Sequence, residues 1–120
     1  MKKINIIKES KDFENIIHKG KFIKNRYYIL YYLQNDNNKY YRIGISVGKK
    51  ISNKAVIRNK LKRRLKTIID NHKNFYQNNQ DYIIIMKRSC LEANFQELEN
   101  NFIDLINKVK KGDINEKNKQ

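Results

Sequence analysis

The chain has 120 residues, with 27 Lys or Arg against 12 Asp or Glu, a formal charge of +15 and one cysteine. That length holds a single domain with one modest core, and no apolar run approaches the ~20 residues a membrane helix needs. Cys90 alone excludes an internal disulfide and fits a reducing cytoplasm, while the charge points to a polyanionic partner. An acidic membrane surface is disfavoured by the absence of Trp and of a long amphipathic helix with an aromatic face. The start, MKKINIIKES, is too short in apolar residues for a secretory signal.

Residues 1–9 read as an irregular basic lead-in whose Ile4, Ile6 and Ile7 lie over a core edge. Ser10 offers an N-cap, Asp12 and Glu14 suit the first turn of a helix dipole, and Gly20 can close the helix in the left-handed conformation. The helix over 11–18 places Phe13, Ile16 and Ile17 on one face by their i, i+3, i+4 spacing. From Phe22 the pattern changes. Tyr27 to Leu33 is aromatic or apolar at both parities, as in a strand covered on both faces, and Asn35-Asp36-Asn37-Asn38 is a turn.

Tyr40 to Val47 alternates cleanly, with Tyr41, Ile43, Ile45 and Val47 on one face and Arg42, Gly44, Ser46 and Gly48 on the other. Two glycines on one face signal either close approach of another backbone or ligand, or a bulge or sharp twist. With tyrosines on the neighbouring strand, the first option is a shallow groove with aromatic walls and a small polar floor. Such a groove suits unpaired nucleic acid, whose bases stack on aromatic rings.

The stretch from Gly48 to Ile69 carries nine Lys or Arg and no acid. Wound as a helix capped by Ser52 or Asn53, it puts Ile57, Leu61, Leu65 and Ile68 on one stripe and Asn59, Lys60, Lys62, Arg63 and Lys66 around the rest. Arg58 and Arg64 flank the stripe. Lys54, Arg58, Lys62 and Lys66 repeat at i,i+4, where like charges repel. A bound polyanion would relieve that repulsion; the plain alternative is a solvated helix in a chain whose Asn, Ile and Lys are all inflated by AT-rich codons. Codon bias does not explain why Asp and Glu are missing between Asp36 and Asp70.

After a polar loop over 72–80, Asp81 to Met86 reads as a buried central strand, parallel to the strand at 40–47 because a helix joins them. Asn94 and Glu97 form a capping box for a last helix, whose apolar face is Phe95, Leu98, Phe102, Leu105, Ile106 and Val109. Gly112 stops it, and 113–120 reads as a disordered tail. The chain is one domain over 1–120, without internal repeats.

A nuclease with its own active site would need a positioned acid/base pair or clustered metal-binding carboxylates. His18 and His72, each at a helix end, read as surface residues, the acids are dispersed, and zinc-type spacing is absent. No catalytic and no metal-ligating residue is therefore assigned. A general RNA-binding protein of the ribosomal kind would share the charge and the basic helix, but would not require the aromatic groove.

The run Lys54-Ala55-Val56-Ile57-Arg58-Asn59-Lys60-Leu61-Lys62-Arg63 resembles the K-A-V-x-R-N-R-x-K-R signature of the protein subunit of bacterial ribonuclease P. Asp12-Phe13, Gly20 and Asn25-Arg26 upstream, and Asp81-Tyr82-Ile83-Ile84-Ile85 downstream, extend the resemblance over nearly the whole chain. It implies an α/β fold of order α-β-β-β-α-β-α, a two-layer sandwich with a left-handed βαβ crossover through the basic helix. It also implies a cytoplasmic ribonucleoprotein in which a catalytic RNA hydrolyses precursor tRNA with Mg²⁺, and the protein holds no firm cofactor and needs no protein partner. Residues implied for the RNA subunit are Lys49, Lys50, Lys54, Arg58, Asn59, Lys60, Lys62, Arg63 and Lys66. Those implied for the 5′ leader are Phe13, Ile17, Tyr31, Ser46, Arg58 and Asn59. Two departures stand out: Lys60 replaces an arginine fork with a point charge, and Ile17 stands where the family often has a second aromatic.

Overall fold

A computed structural model describes residue 2 and residues 5–118, with the side chains of 110–118 outside that description. Its elements are α1 (Ser10–Lys19), β1 (Lys21–Lys24), β2 (Tyr28–Gln34), β3 (Arg42–Ser46), α2 (Ala55–Asn71), β4 (Gln80–Met86) and α3 (Phe95–Asn118). This is the order read from the sequence. The sheet runs β1-β2-β4-β3, with β1/β2 and β2/β4 antiparallel and β3/β4 parallel. A parallel pair needs a crossover, and α2 supplies it.

Alternation along the strands assigns each side chain to a face. Tyr28, Leu30 and Tyr32 of β2, Ile43 of β3, and Tyr82, Ile84 and Met86 of β4 point to the layer formed by α2 and α3, where Leu61, Leu65, Ile68, Leu98, Phe102 and Leu105 complete the main core. The Tyr28 hydroxyl crosses this layer to donate to the Leu98 carbonyl at 2.9 Å. The other parity, Tyr31, Leu33, Ile83 and Ile85, joins Ile7, Phe13 and Ile16 in a smaller cluster under α1. A ten-residue helix cannot cover a four-stranded face, so part of this face stays open.

Packing decides that α2 forms at all. Burying Leu61, Leu65, Ile68 and Ile69 is worth about 1.5–3 kcal/mol each, against a few tenths of a kcal/mol for each i,i+4 repulsion on the outer face. Its N-cap is Lys54, with neither Ser52 nor Asn53 capping through a side chain; Ser52 Oγ instead accepts from the Lys54 N–H at 3.2 Å. The Asn94/Glu97 box of α3 is present, with the Glu97 N–H donating to Asn94 Oδ1 at 2.8 Å and the Asn94 N–H to Glu97 Oε1 at 3.4 Å.

Several details differ from expectation. Glu9, not Ser10, is the N-cap of α1. Gly20 has φ −79° and ψ 165°, which is extended rather than left-handed; a Cβ there would lie 2.5 Å from the Ile16 carbonyl oxygen and 2.8 Å from that of Tyr32, so close approach is what requires glycine. The break between β1 and β2 is made by Asn25, whose Oδ1 accepts from the N–H groups of Tyr27 and Tyr28 at 3.0 Å each and whose Nδ2 donates to the Asn101 carbonyl at 2.9 Å. α3 continues past Gly112 to Asn118, so an interior glycine, costing about 1 kcal/mol relative to Ala, does not end it; residues 119 and 120 of the expected tail lie outside the described residues. In the lead-in, Ile6 makes a parallel bridge to Ile43 and Ile7 is buried, whereas Ile4 lies outside the described residues.

Candidate nucleic-acid interface

The open face is built from one row of the sheet. Registers align Phe22 with Tyr31, Tyr31 with Ile83 and Ile83 with Gly44, all pointing towards α1. Phe13 fills the end of that row. A Cβ on Gly44 would come within 2.7 Å of Phe13 Cζ and 2.9 Å of Ile83 Cδ1, so the absent side chain is the seat of the Phe13 ring. The occupant is thus a side chain of the same chain, neither a backbone nor a ligand. Gly48 meets nothing closer than the Lys50 nitrogen at 4.0 Å, and no close approach accounts for it.

An ion-pair network pins α1 in this position. Asp81, 2% exposed, accepts from Arg42 Nε at 2.9 Å, Arg42 Nη2 at 2.7 Å and Asn35 Nδ2 at 3.0 Å. Arg42 Nη1 lies 3.7 Å from Asp12 Oδ2 in the first turn of α1. The Asp81 carboxylate is therefore structural. Phe13 and Tyr31 are half-buried in the same cluster, and Ile17, one turn on, is 38% exposed.

Parallel strands end at the same edge of a sheet, so the segments following β3 and β4 are neighbours. They enclose a groove of about 740 Å³, floored by Ile29, Ile85, Met86 and Ser46 and rimmed by Lys49, Lys50, Lys87 and Arg88. Lys87 and Arg88 were not picked out from the sequence, although their place straight after a strand parallel to the one before Lys49 is the signal that finds them. Lys87 Nζ donates to the Asn25 carbonyl at 2.8 Å, while Arg88 is exposed.

On α2, Lys54, Asn59, Lys60, Arg63 and Lys66 are exposed, and Arg58 and Lys62 half-buried. Arg58 Nη1 donates to the Ser52 carbonyl at 2.8 Å, so this cation also holds the loop before the helix. Lys62 and Lys66 lay their stems over a recess of about 140 Å³ beside Ile6, Ile7, Ile43 and Ile45, at the β3 edge. Among the described residues no acid pairs with Lys54, Lys60, Lys62, Arg63 or Lys66. Val56 is 78% exposed in their midst.

Neither histidine nor Cys90 lines the groove. His18 is exposed at the end of α1; His72, expected at the surface, is half-buried, with Nε2 3.2 Å from Glu99 Oε2 and its ring against Phe75. Burial pushes the Cys90 thiol up to about 11, and it donates to the Tyr27 carbonyl at 3.1 Å. Among the described residues no three His, Cys, Asp or Glu side chains cluster as a metal site. No helix of the described residues is long and apolar enough to cross a membrane. The arrangement can stack planar rings on Phe13 and Tyr31 and neutralise phosphates along the rim and α2.

Residues 1–110 match the family model described as Ribonuclease P. A ribonuclease P protein component of Streptococcus agalactiae serotype III is 39% identical over 106 residues, covering 88% of this chain and 94% of its own length. One from Bacillus cereus strain AH187 is 36% identical over 106 residues, covering 88% and 91%. Among solved structures, a Staphylococcus aureus RNase P protein mutant described as defective in mRNA degradation activity superposes with a TM-score of 0.83 at 30% identity, covering 90% of each chain. The RNase P protein of Thermotoga maritima gives 0.74 at 27% identity, covering 83% of this chain and 93% of that one. With its basic helix, its cation-rimmed groove, a family model matched over residues 1–110 and relatives matched along nearly their full lengths, the chain belongs to the ribonuclease P protein component family.

Proposed function

We propose that this chain is the protein subunit of a cytoplasmic ribonuclease P, in which a catalytic RNA removes the 5′ leader of precursor tRNA and the protein secures both RNAs. Lys54, Arg58, Asn59, Lys60, Lys62, Arg63 and Lys66, with Lys49 and Lys50 of the preceding loop, hold the RNA subunit. The groove holds the single-stranded leader, with Phe13, Ile17 and Tyr31 against bases, Ser46 on the floor, and Arg58, Asn59, Lys87 and Arg88 towards phosphates. Hydrolysis belongs to the RNA and its Mg²⁺, and the protein contributes affinity and placement. No firmly bound cofactor and no protein partner enter this scheme.

The observation that carries the reading is that Ile85 is shared between the basic-rimmed, apolar-floored groove and the cluster that holds Phe13 and Tyr31. A generic RNA-binding surface needs the cations alone, whereas rings next to cations fit unpaired bases, each stack being worth roughly 1–3 kcal/mol. Multiple-turnover cleavage of a precursor tRNA at low Mg²⁺ tests it, comparing the protein, the matching RNA subunit, and both. Activity only with both is expected. Cleavage by the protein alone would reveal an active site in the chain, and no stimulation of the RNA would leave a general RNA-binding role.

A further inference from the structure

We infer that Phe22 extends the Tyr31 ring into a further stacking platform for one unpaired RNA base at the β1 edge of the sheet, lengthening the leader path beyond Phe13. The inference rests on the leader reading above and deepens it. Phe22 is 56% exposed on a four-residue strand, with its ring centroid 5.5 Å from that of Tyr31 and the planes 38° apart. The register Phe22↔Tyr31 sets both rings on the α1 face, and Lys24↔Ile29 sets an exposed lysine on the same face two residues on. Ile23, of the opposite parity, packs into the main core and fixes that orientation.

The two rings thus continue the aromatic surface outward from the groove to the sheet edge, with a cation beside it. Ile17, one helical turn beyond Phe13, offers no ring there. A planar occupant carrying negative charge fits this pair, as a base stacks on the exposed Phe22 face and Lys24 meets the adjoining phosphate. A second copy of the chain does not fit, because Lys21 and Lys24 bracket the edge strand and each copy carries +15.

The test measures holoenzyme affinity for precursor tRNAs whose leaders are shortened one nucleotide at a time, using wild type, Phe22→Ala, Phe22→Trp and Phe13→Ala. Circular dichroism and RNA-subunit affinity serve as folding controls. With long leaders Phe22→Ala should lose about 5- to 150-fold, Phe22→Trp should retain affinity, and with short leaders Phe22→Ala should match wild type. If Phe13→Ala weakens leader binding and Phe22→Ala does not at any length, the platform is refuted and the leader reading stands. If neither variant depends on the leader, both fall. Loss by Phe22→Ala equally with mature tRNA would refute the platform as well.

Discussion

Replacing Gly44 by Ala probes how the sheet seats the aromatic wall. The added methyl would sit 2.7 Å from Phe13 Cζ, 2.9 Å from Ile83 Cδ1 and 3.2 Å from Phe13 Cε1, all below ordinary contact distance. Backbone φ at this residue lies outside the positive range, so the cost is steric only. Both neighbours are ends of side chains, and Phe13 is half-buried, so the ring can swing off the sheet while the strands hold. Overpacking of this kind costs about 1–3 kcal/mol, and the low end applies because the ring has somewhere to go. That corresponds to a fall in Tm of about 3–8 °C. The displaced ring forfeits its stack, so long-leader precursor should bind about 5- to 150-fold more weakly, while RNA-subunit affinity holds within about twofold. A double-mutant cycle isolates the cause: in the Phe13→Ala background, Gly44→Ala should cost leader binding nothing further. Additive losses, or an unchanged leader affinity in the single variant, would refute the argument.

Two further outcomes follow from buried groups. Arg42→Met leaves the Asp81 carboxylate, 2% exposed, with the Asn35 amide donating to it and no cation to replace the guanidinium, so thermal or urea unfolding should show a loss of about 3–5 kcal/mol; a loss under 1 kcal/mol would mean that water reaches the site. Cys90, raised by burial from 9.0 to about 11, should resist thiol reagents at pH 8 until denaturant opens the core. Because folding favours the neutral thiol, its contribution is complete below pH 9 and is lost as pH rises to about 11. The decline in urea midpoint across that interval should be shallower in Cys90→Ala.

What could be read from the sequence was local or periodic. The stripe Leu61, Leu65 and Ile68, the Asn94/Glu97 box and the alternation of 41–47 each follow from spacing along one element, and each is present. The rest depends on which elements meet. Gly20 looked like a left-handed cap because one of the two carbonyls that exclude a Cβ there, that of Tyr32, lies 12 positions away on another strand. Asn25 entered through the resemblance without a structural role, although its bonds to the Tyr27 and Tyr28 N–H groups make the hairpin. The Arg42–Asp81 pair spans 39 positions, and His72 finds Glu99 across 27. For the candidate interface, Phe13 and Tyr31 came from the resemblance and share one cluster, but the Lys87-Arg88 rim becomes visible only once β3 and β4 are known to end together.

The charge on α2 costs the free helix stability, and Lys62 tests whether the proposed assembly with RNA is what retains it. It repels Arg58 at i−4 and Lys66 at i+4, while its stem lies over the recess beside Ile43 and Ile45. Lys62→Met keeps the apolar stem and a similar helix propensity, removing two repulsive pairs of a few tenths of a kcal/mol each. The free protein should therefore become more stable by about 0.5 kcal/mol, raising Tm by about 2–3 °C at low salt and by less at high salt. If Lys62 neutralises a phosphate of the RNA subunit, the slope of log affinity against log salt should fall in magnitude by about 0.7–0.9. A variant that is more stable yet assembles less tightly would mean that the repulsion is retained for the RNA. Greater stability with unchanged assembly would assign Lys62 to a merely solvated face, and lower stability would show that its ammonium has a partner within the fold.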